Sequence, residues 1–248
     1  LDWNIQCNIW KNKYPAVTEE QRNQDKWVNT YHFIDILSDL LEPNDVIVTD
    51  MGFAFQCTHQ AFRIKKGQRL ITNGGLASMG WGLPAAVGAA IASKGRVICI
   101  AGDGGLQMTV QEMATVMHHQ LPIKLFVFNN DGYTTLKQTY EHGFQGRLMG
   151  VNKESGISFP DFRTLAKSYN IKSFRMHGHN QLEYYVNRFL KQDGPGLLEL
   201  MVDPDQRQMP MAINRRNEDG SFNPTSIEDA FPFLDPEEIK QNLEVANG

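Results

Sequence analysis

An α/β fold of three layers, a mainly parallel sheet with helices on both faces, follows from three features of the sequence. Residues 97–101 and 123–128 are dense in branched and aromatic side chains, as strands buried on both faces are. Segments with helical spacing separate such runs, so strand and helix alternate as a parallel sheet with right-handed crossovers requires. With 248 residues, 41% of them hydrophobic and 21% charged, the chain can bury a real core, in one large domain or at most two small ones.

Residues 1–28 begin at Leu1 with a Trp- and Asn-rich stretch that ends at Pro15, then turn polar without an apolar period. They read as a linker from an upstream region; a start trimmed from a longer chain gives the same pattern. Organised structure is expected from Asn29, with a domain over 29–203. Phe33, Ile34, Leu37, Leu40 and Leu41 have helical spacing, and Pro43 stops that helix. A strand at 46–49, a short strand at 70–72 and a helix over 84–93 follow, the helix rich in Ala and Gly and suited to close packing on a sheet. The strands at 97–101 and 123–128 flank a helix predicted over 106–119. Next come a helix near 160–169, a strand near 172–176, a helix near 181–191 and a strand at 197–202. Five prolines among polar residues (Pro204, Pro210, Pro224, Pro232, Pro236) predict a tail, 204–248, that wraps the surface and ends in a short helix.

Composition narrows the function classes. Twenty-eight Asp and Glu against 24 Lys and Arg give a net charge of −4, which argues against a general nucleic-acid binder. Cys7, Cys57 and Cys99 fit neither a disulfide framework nor a zinc site, so a reducing, cytoplasmic setting is expected. The most apolar stretch, 74–102, is broken by Lys94, Gly95 and Arg96 and does not suit a membrane span, and the start lacks a signal-peptide pattern.

In an open parallel sheet, ligands sit outside the carboxyl ends of the strands. Two such ends carry unusual residues: Ala101-Gly-Asp-Gly-Gly105 and Asn129-Asn-Asp-Gly-Tyr133. Asp103 and Asn130 lie 27 positions apart, a plausible strand–helix–strand return. A carboxylate and a carboxamide are hard oxygen donors suited to Mg²⁺ or Ca²⁺, and Mg²⁺ is usually completed by phosphate oxygens and water. Gly102, Gly104 and Gly105 let backbone approach a ligand closely. The pair therefore reads as a diphosphate–metal site, although two tight turns closed by side-chain hydrogen bonds would give the same bare pattern.

The run Gly102-Asp-Gly, 24 intervening residues, then Asn129-Asn resembles the thiamine diphosphate signature of the pyruvate-decarboxylase and acetolactate-synthase superfamily. The segment from Gly74-Gly-Leu-Ala-Ser-Met-Gly-Trp-Gly to Gly88 is similar to the acetolactate-synthase form of the preceding loop and helix, and Gln111-Glu-Met-Ala-Thr115 and Leu121-Pro-Ile-Lys124 match the same group. The resemblance spans roughly 45–202 and implies the thiamine diphosphate-binding fold. It implies Mg²⁺ ligands in Asp103, Asn130 and the carbonyl of Gly132. It also implies that the diphosphate lies against Gly102 and meets backbone N–H groups of Gly104, Gly105 and Tyr133. Met79 would be the wedge that folds the aminopyrimidine onto the thiazolium, so that the cofactor's own imino group takes the C2 proton. Ala77, where glycine is usual, would accept the 4′-amino group at its carbonyl, a change expected to matter little.

By the same resemblance no catalytic acid or base lies in this chain. The activating glutamate belongs to a separate pyrimidine-binding domain of the same or another chain, and complete sites form between chains of a homo-oligomer, a dimer at least. FAD belongs to a further domain of the acetolactate-synthase group, not to this one. The implied activity is carboligation or acetyl transfer from a 2-oxo acid such as pyruvate. Gly52-Phe-Ala-Phe-Gln56 stands where common acetolactate synthases carry Gly-Gln-His-Gln, which leaves the acceptor, a 2-oxo acid or a nucleotide-linked keto-sugar, open. A natural subunit of a two-chain thiamine enzyme and a non-catalytic cofactor-binding module are the alternatives.

Other features read plainly. Gly80-Trp-Gly82 imitates a dinucleotide fingerprint, but Pro84 and the long loop before Gly80 do not fit its tight turn. His177-x-His179 and His118-His119 lack further spaced ligands and read as surface or capping histidines. Lys65-Lys66 and Arg215-Arg216 read as solvated charge, and Phe231, Phe233 and Leu234 as an anchor for the tail or part of a lid.

Overall fold

The computed structural model describes residues 2–93 and 95–247. Six parallel strands form one sheet in the order β2-β1-β3-β4-β6-β5. They are β1 (Val46–Thr49), β2 (Arg69–Ile71), β3 (Val97–Gly102), β4 (Ile123–Asn129), β5 (Lys172–His177) and β6 (Gly196–Met201). Placing β2 on one side of β1 and β3 on the other makes the β1/β3 edge a switch point, where the carboxyl ends open a crevice.

Alternation along each strand sorts the core into two faces. Ile98 and Ile100 of β3, with Phe126 and Phe128 of β4, point towards helices α3 (Thr30–Leu40), α4 (Phe53–Ala61) and α10 (Leu182–Leu190). Val97, Cys99 and Ala101, with Leu125 and Val127, point the other way. They meet α5 (Gly82–Ala92), α6 (Asp103–Met108), α7 (Met113–His118) and α9 (Phe162–Ser168). On the first face Phe33 lies 5.1 Å from Phe126 and 5.6 Å from Phe128, ring centre to ring centre. The three predicted layers are present.

Local chemistry sets the helix ends. Asn29 caps α3, its side chain accepting from the Tyr31 and His32 amides, and the helix ends as Leu41 turns extended ahead of Pro43. Lys65 donates from Nζ to the carbonyls of Asp39 and Leu41, so this lysine caps a helix end instead of standing free in solvent. The helix predicted over 106–119 is broken. It begins earlier, at Asp103, stops at Met108, passes through a 3₁₀ turn at Val110–Glu112 and restarts as α7. Thr109 causes the break: its hydroxyl donates to the Gly80 carbonyl at 2.8 Å, tying this turn to the loop before α5.

Residues 2–28 are not an unstructured lead-in. They carry α1 (Trp3–Lys13) and α2 (Glu19–Arg22), the latter closed by a Thr18/Gln21 capping box. Helix α1 lies against α11 (Pro236–Asn247): Trp10 Nε1 donates to Asn242 and the Tyr14 hydroxyl to Glu238. Between β6 and α11 the chain packs on the domain. Gln206 and Gln208 are buried, and the latter donates to Thr135 of α8 (Thr134–Gly143). The tail also folds a small hairpin, β7 (Arg215–Arg216) with β8 (Phe222–Asn223). Arg215 is not simply solvated; it forms a two-pronged pair with Asp229 and lies over the Phe233 ring.

His179 fastens the N-terminal segment to the sheet. Its Nε2 accepts the Asn29 amide at 2.8 Å, so Nδ1 carries the proton and donates to the Arg22 carbonyl at 3.0 Å. That fixes a neutral tautomer. The His32 ring packs 4.6 Å away, and burial, then His179 and Arg22, pushes its pKa down to about 4. Burial also lowers the His179 pKa. A histidine whose folded pKa lies below its unfolded value of about 6.5 stabilises the fold fully above that pH. Stability therefore should fall as pH drops from about 6.5 towards about 4, by on the order of 1–2 kcal/mol for groups half-exposed to screening solvent. Urea midpoints measured at pH 7.5 and 5.0 check this, and His32→Gln should flatten the difference.

Candidate functional site

A cleft of about 400 Å³ opens at the carboxyl ends of β1, β3 and β4. Its lining includes all nine residues singled out from the sequence: Ala77, Met79, Gly102, Asp103, Gly104, Gly105, Asn130, Gly132 and Tyr133. β3 delivers Asp103 and β4 delivers Asn130 because the two strands are neighbours in register, with Gly102 opposite Phe128.

Asp103 is only 2% exposed. Its Oδ1 accepts the Gly104 amide at 2.7 Å, and its Oδ2 accepts the amides of Asn130 at 3.1 Å and Gly132 at 3.2 Å. Burial nevertheless pushes its pKa up to about 7 against those three donors. Asn130 is also buried, and its Oδ1 has no hydrogen-bond partner at all. A buried acceptor without a donor costs about 1–3 kcal/mol. An orphan carboxamide oxygen beside a desolvated carboxylate is what a hard cation would satisfy, so the donor set fits Mg²⁺.

Gly104, Gly105 and Gly132 stand where other protein groups pack closely. A methyl group on Gly104 would strike the Tyr133 ring, one on Gly132 would strike the Val151 carbonyl, and one on Gly105 would stand 2.5 Å from Asp50 Oδ2. They let protein groups close around the cleft. The Tyr133 amide is already engaged, donating to the Val151 carbonyl at 2.8 Å, so this residue offers its ring and not its N–H. Ala77 takes a left-handed backbone, φ 52°, which costs a non-glycine residue roughly 1–2 kcal/mol; the alanine is therefore not indifferent there. Met79 is 38% exposed on the cleft wall.

Gly52-Phe-Ala-Phe-Gln56 forms the start of α4. Phe53 and Ala54 pack in the core, and Gly52, Phe53, Phe55 and Gln56 line the cleft, the Gln56 Oε1 lacking a partner. Ten residues, 72–81, separate β2 from α5, so Gly80-Trp-Gly82 does not form a dinucleotide-binding turn.

Sequence reasoning passed over Asp50. Buried at the end of β1, it accepts the Met51 amide at 2.8 Å and the Gly80 amide at 3.1 Å. It sits between Gly105 on one side and Gly82 on the other. Asp50 thus joins the Ala77–Met79 loop to the glycine turn after β3. Burial raises its pKa, opposed by the amides of Met51, Gly80, Gly82 and Trp81. The signal was present: a carboxylate ending the buried run Val-Ile-Val-Thr.

The profile of a protein family described as thiamine pyrophosphate enzyme, C-terminal TPP binding domain, matches residues 50–200. The chain belongs to this family. Its resemblance to acetolactate synthases extends over most of the chain. Acetolactate synthase 1, chloroplastic, of Zea mays is 29% identical over 214 residues, which cover 84% of this chain and 33% of that protein. Acetolactate synthase isozyme 1 large subunit of Escherichia coli is 29% identical over 182 residues, covering 73% and 32%. The chain thus spans about a third of the length of these curated relatives. A crystal structure of benzoylformate decarboxylase from Polynucleobacter necessarius shares the fold, with a TM-score of 0.68 at 22% identity over 79% of this chain and 36% of that one. The family's thiamine diphosphate-binding fold and the three-layer architecture agree. Among the described residues no helix is long and apolar enough to cross a membrane.

Proposed function

We propose that this family domain holds Mg²⁺ and the diphosphate of thiamine diphosphate in an enzyme that transfers an acyl unit from a 2-oxo acid such as pyruvate. The observation that carries the reading is the unpartnered Asn130 Oδ1 beside the buried Asp103 carboxylate. Asp103, Asn130 and the Gly132 carbonyl would hold the metal, and Gly102, Gly104 and Gly105 would line the diphosphate. Bound thiamine diphosphate would supply a carbon nucleophile and electron sink for loss of the donor's carboxylate. Met79 would hold the orientation of the ring system, and the Ala77 carbonyl would accept a hydrogen bond from the pyrimidine amino group. Phe55, Tyr133 and Leu136, which also line the cleft, would shield the reacting end from water.

No glutamate is among the described cleft-lining residues. In this reading a pyrimidine-binding domain, on the same or another chain, supplies one and closes the cleft. Support comes from the apolar side chains exposed there: Leu76 is 83% and Met108 50% exposed, near the Met79 rim. A homo-oligomer that pairs such halves is part of the proposal, and the acceptor stays open between a 2-oxo acid and a keto-sugar.

Calorimetric titration tests the core of this. The chain should bind thiamine diphosphate with Mg²⁺ and bind it at least about tenfold more weakly with EDTA, because without the metal the Asp103 carboxylate and the diphosphate would meet as uncompensated like charges. Equal affinity in both conditions would sink the metal assignment. CO₂ release from pyruvate should appear only when the glutamate-bearing domain is supplied; turnover by this chain alone would place a base within it.

A further inference from the structure

Glu199 lies in the middle of β6, wholly buried, in a sheet whose other interior side chains are almost all apolar. A carboxylate there is costly unless fully partnered. In register it faces Val127 of β4 on one side and Arg175 of β5 on the other. Asn129, two residues beyond Val127, projects to the same face and brings its amide to the carboxylate. Arg175 Nε donates to Glu199 Oε2 at 2.6 Å, and Asn129 Nδ2 donates to Glu199 Oε1 at 2.6 Å. Arg175 is in turn held by Asp161, Nη2 to Oδ2 at 2.7 Å.

The consequence runs into the metal loop. Because its Nδ2 is committed to Glu199, Asn129 must present Oδ1 to the loop, where it accepts the Asp131 amide at 3.1 Å. That bond closes a turn in which Asp131 takes a left-handed φ of 55°. The same turn aims the amides of Asn130 and Gly132 at Asp103 and leaves Asn130 Oδ1 beside it. The hydrogen bonds of Glu199 go to Asn129 and Arg175, not to the proposed metal ligands.

We infer that Glu199 is a positioning residue for the metal loop, acting through the orientation of the Asn129 amide. The inference rests on the Mg²⁺–diphosphate reading of the cleft.

Glu199→Gln keeps the size and removes the charge. The new carboxamide must then face the Arg175 donor with its oxygen, which turns its own NH₂ towards Asn129 and flips that amide. The Asp131 amide loses its acceptor. Outer-shell changes of this kind weaken metal affinity by about 10–100-fold, and a loss of at least about tenfold in Mg²⁺ affinity, titrated with thiamine diphosphate present, is expected. Adding Arg175→Gln removes the competing donor and should restore most of the affinity, which a merely structural role for Glu199 would not predict. Asn129→Leu should give a loss of similar size, and combining it with Glu199→Gln should add little. Unchanged Mg²⁺ affinity in a folded Glu199→Gln chain, or losses that simply add, would overturn the assignment.

Hydrogen exchange of the Asp131 amide gives a second readout, in the metal-free chain. Protection should fall in Glu199→Gln and return in the double variant; unaltered protection overturns the role of Glu199. A wild-type chain that binds no Mg²⁺ with the cofactor would instead overturn the reading of the cleft, and the Asp131 amide would still decide what Glu199 does.

Discussion

Asp103→Asn is expected to erase the Mg²⁺-dependent stabilisation of the chain by thiamine diphosphate. Cofactor at 100 times its dissociation constant should stabilise the original chain by about 2.7 kcal/mol, a rise in melting temperature of roughly 5–10 °C for a domain this large. The substitution removes the one charged donor of the proposed metal set, so affinity should fall by more than about 100-fold, the upper range for changes merely behind a ligand. Two opposing effects act without ligand. Lifting a desolvated carboxylate out of the core relieves strain, while an amide NH₂ set against the Gly104, Asn130 or Gly132 amides loses a hydrogen bond. The unliganded variant should therefore melt within about 5 °C of the original. Scanning fluorimetry with and without Mg²⁺ and cofactor separates the two quantities, and a ligand-induced rise of the original size would remove Asp103 from the site.

Two glycines of α5 should respond in opposite directions to the same substitution. A Cβ at Gly82 would stand 2.8 Å from Asp50 Cβ, 3.0 Å from its backbone nitrogen and 3.1 Å from its Cα. None of these is a flexible side-chain end, so helix and strand must part. Gly82→Ala should cost about 3 kcal/mol, the upper range of overpacking, and more if the amide contacts of Asp50 are lost with it. Gly88 is exposed one and a half turns on, with nothing near its missing Cβ. Gly88→Ala should stabilise by about 0.5–1 kcal/mol through helix propensity alone. Urea unfolding of the two variants reads both, and equal effects would mean that α5 does not pack as closely on β1 as described.

What was legible in the sequence was what is local. Asp103 and Asn130 announce themselves because each directly follows a run of buried-strand residues, and the distance between them is one crossover. The same locality explains the strand assignments, where branched and aromatic residues crowd into six or seven positions. The misses are non-local. Helix α1 has Trp3, Ile5 and Ile9 exposed and so lacks a clear inward stripe, and its partner Asn242 lies 232 positions away from Trp10. The break after Met108 depends on a bond from Thr109 to Gly80, which no periodicity displays. Tyr133 lost its expected N–H role to Val151, on a loop whose return could not be foreseen. Asp50 and Glu199 form a separate class. Asp50 ends an apolar run and Glu199 interrupts one, visible anomalies whose meaning depends on the partners that the fold supplies.

The two faces of the sheet each hold one sealed thiol. Cys57 belongs to the side of α3 and α4, where it meets the Thr30 hydroxyl, and burial pushes its pKa up to about 12. Cys99 belongs to the side of α5 and α7, and burial raises its pKa too. Neither can react while its layer is closed, because the thiolate is the reactive form and both are out of reach of solvent. Cys7, half-buried on α1, stands outside both layers. The chain therefore carries its own pair of clocks. The rate at which a thiol reagent captures each cysteine times the opening of one helical layer independently of the other, with Cys7 marking the intrinsic speed of the reagent.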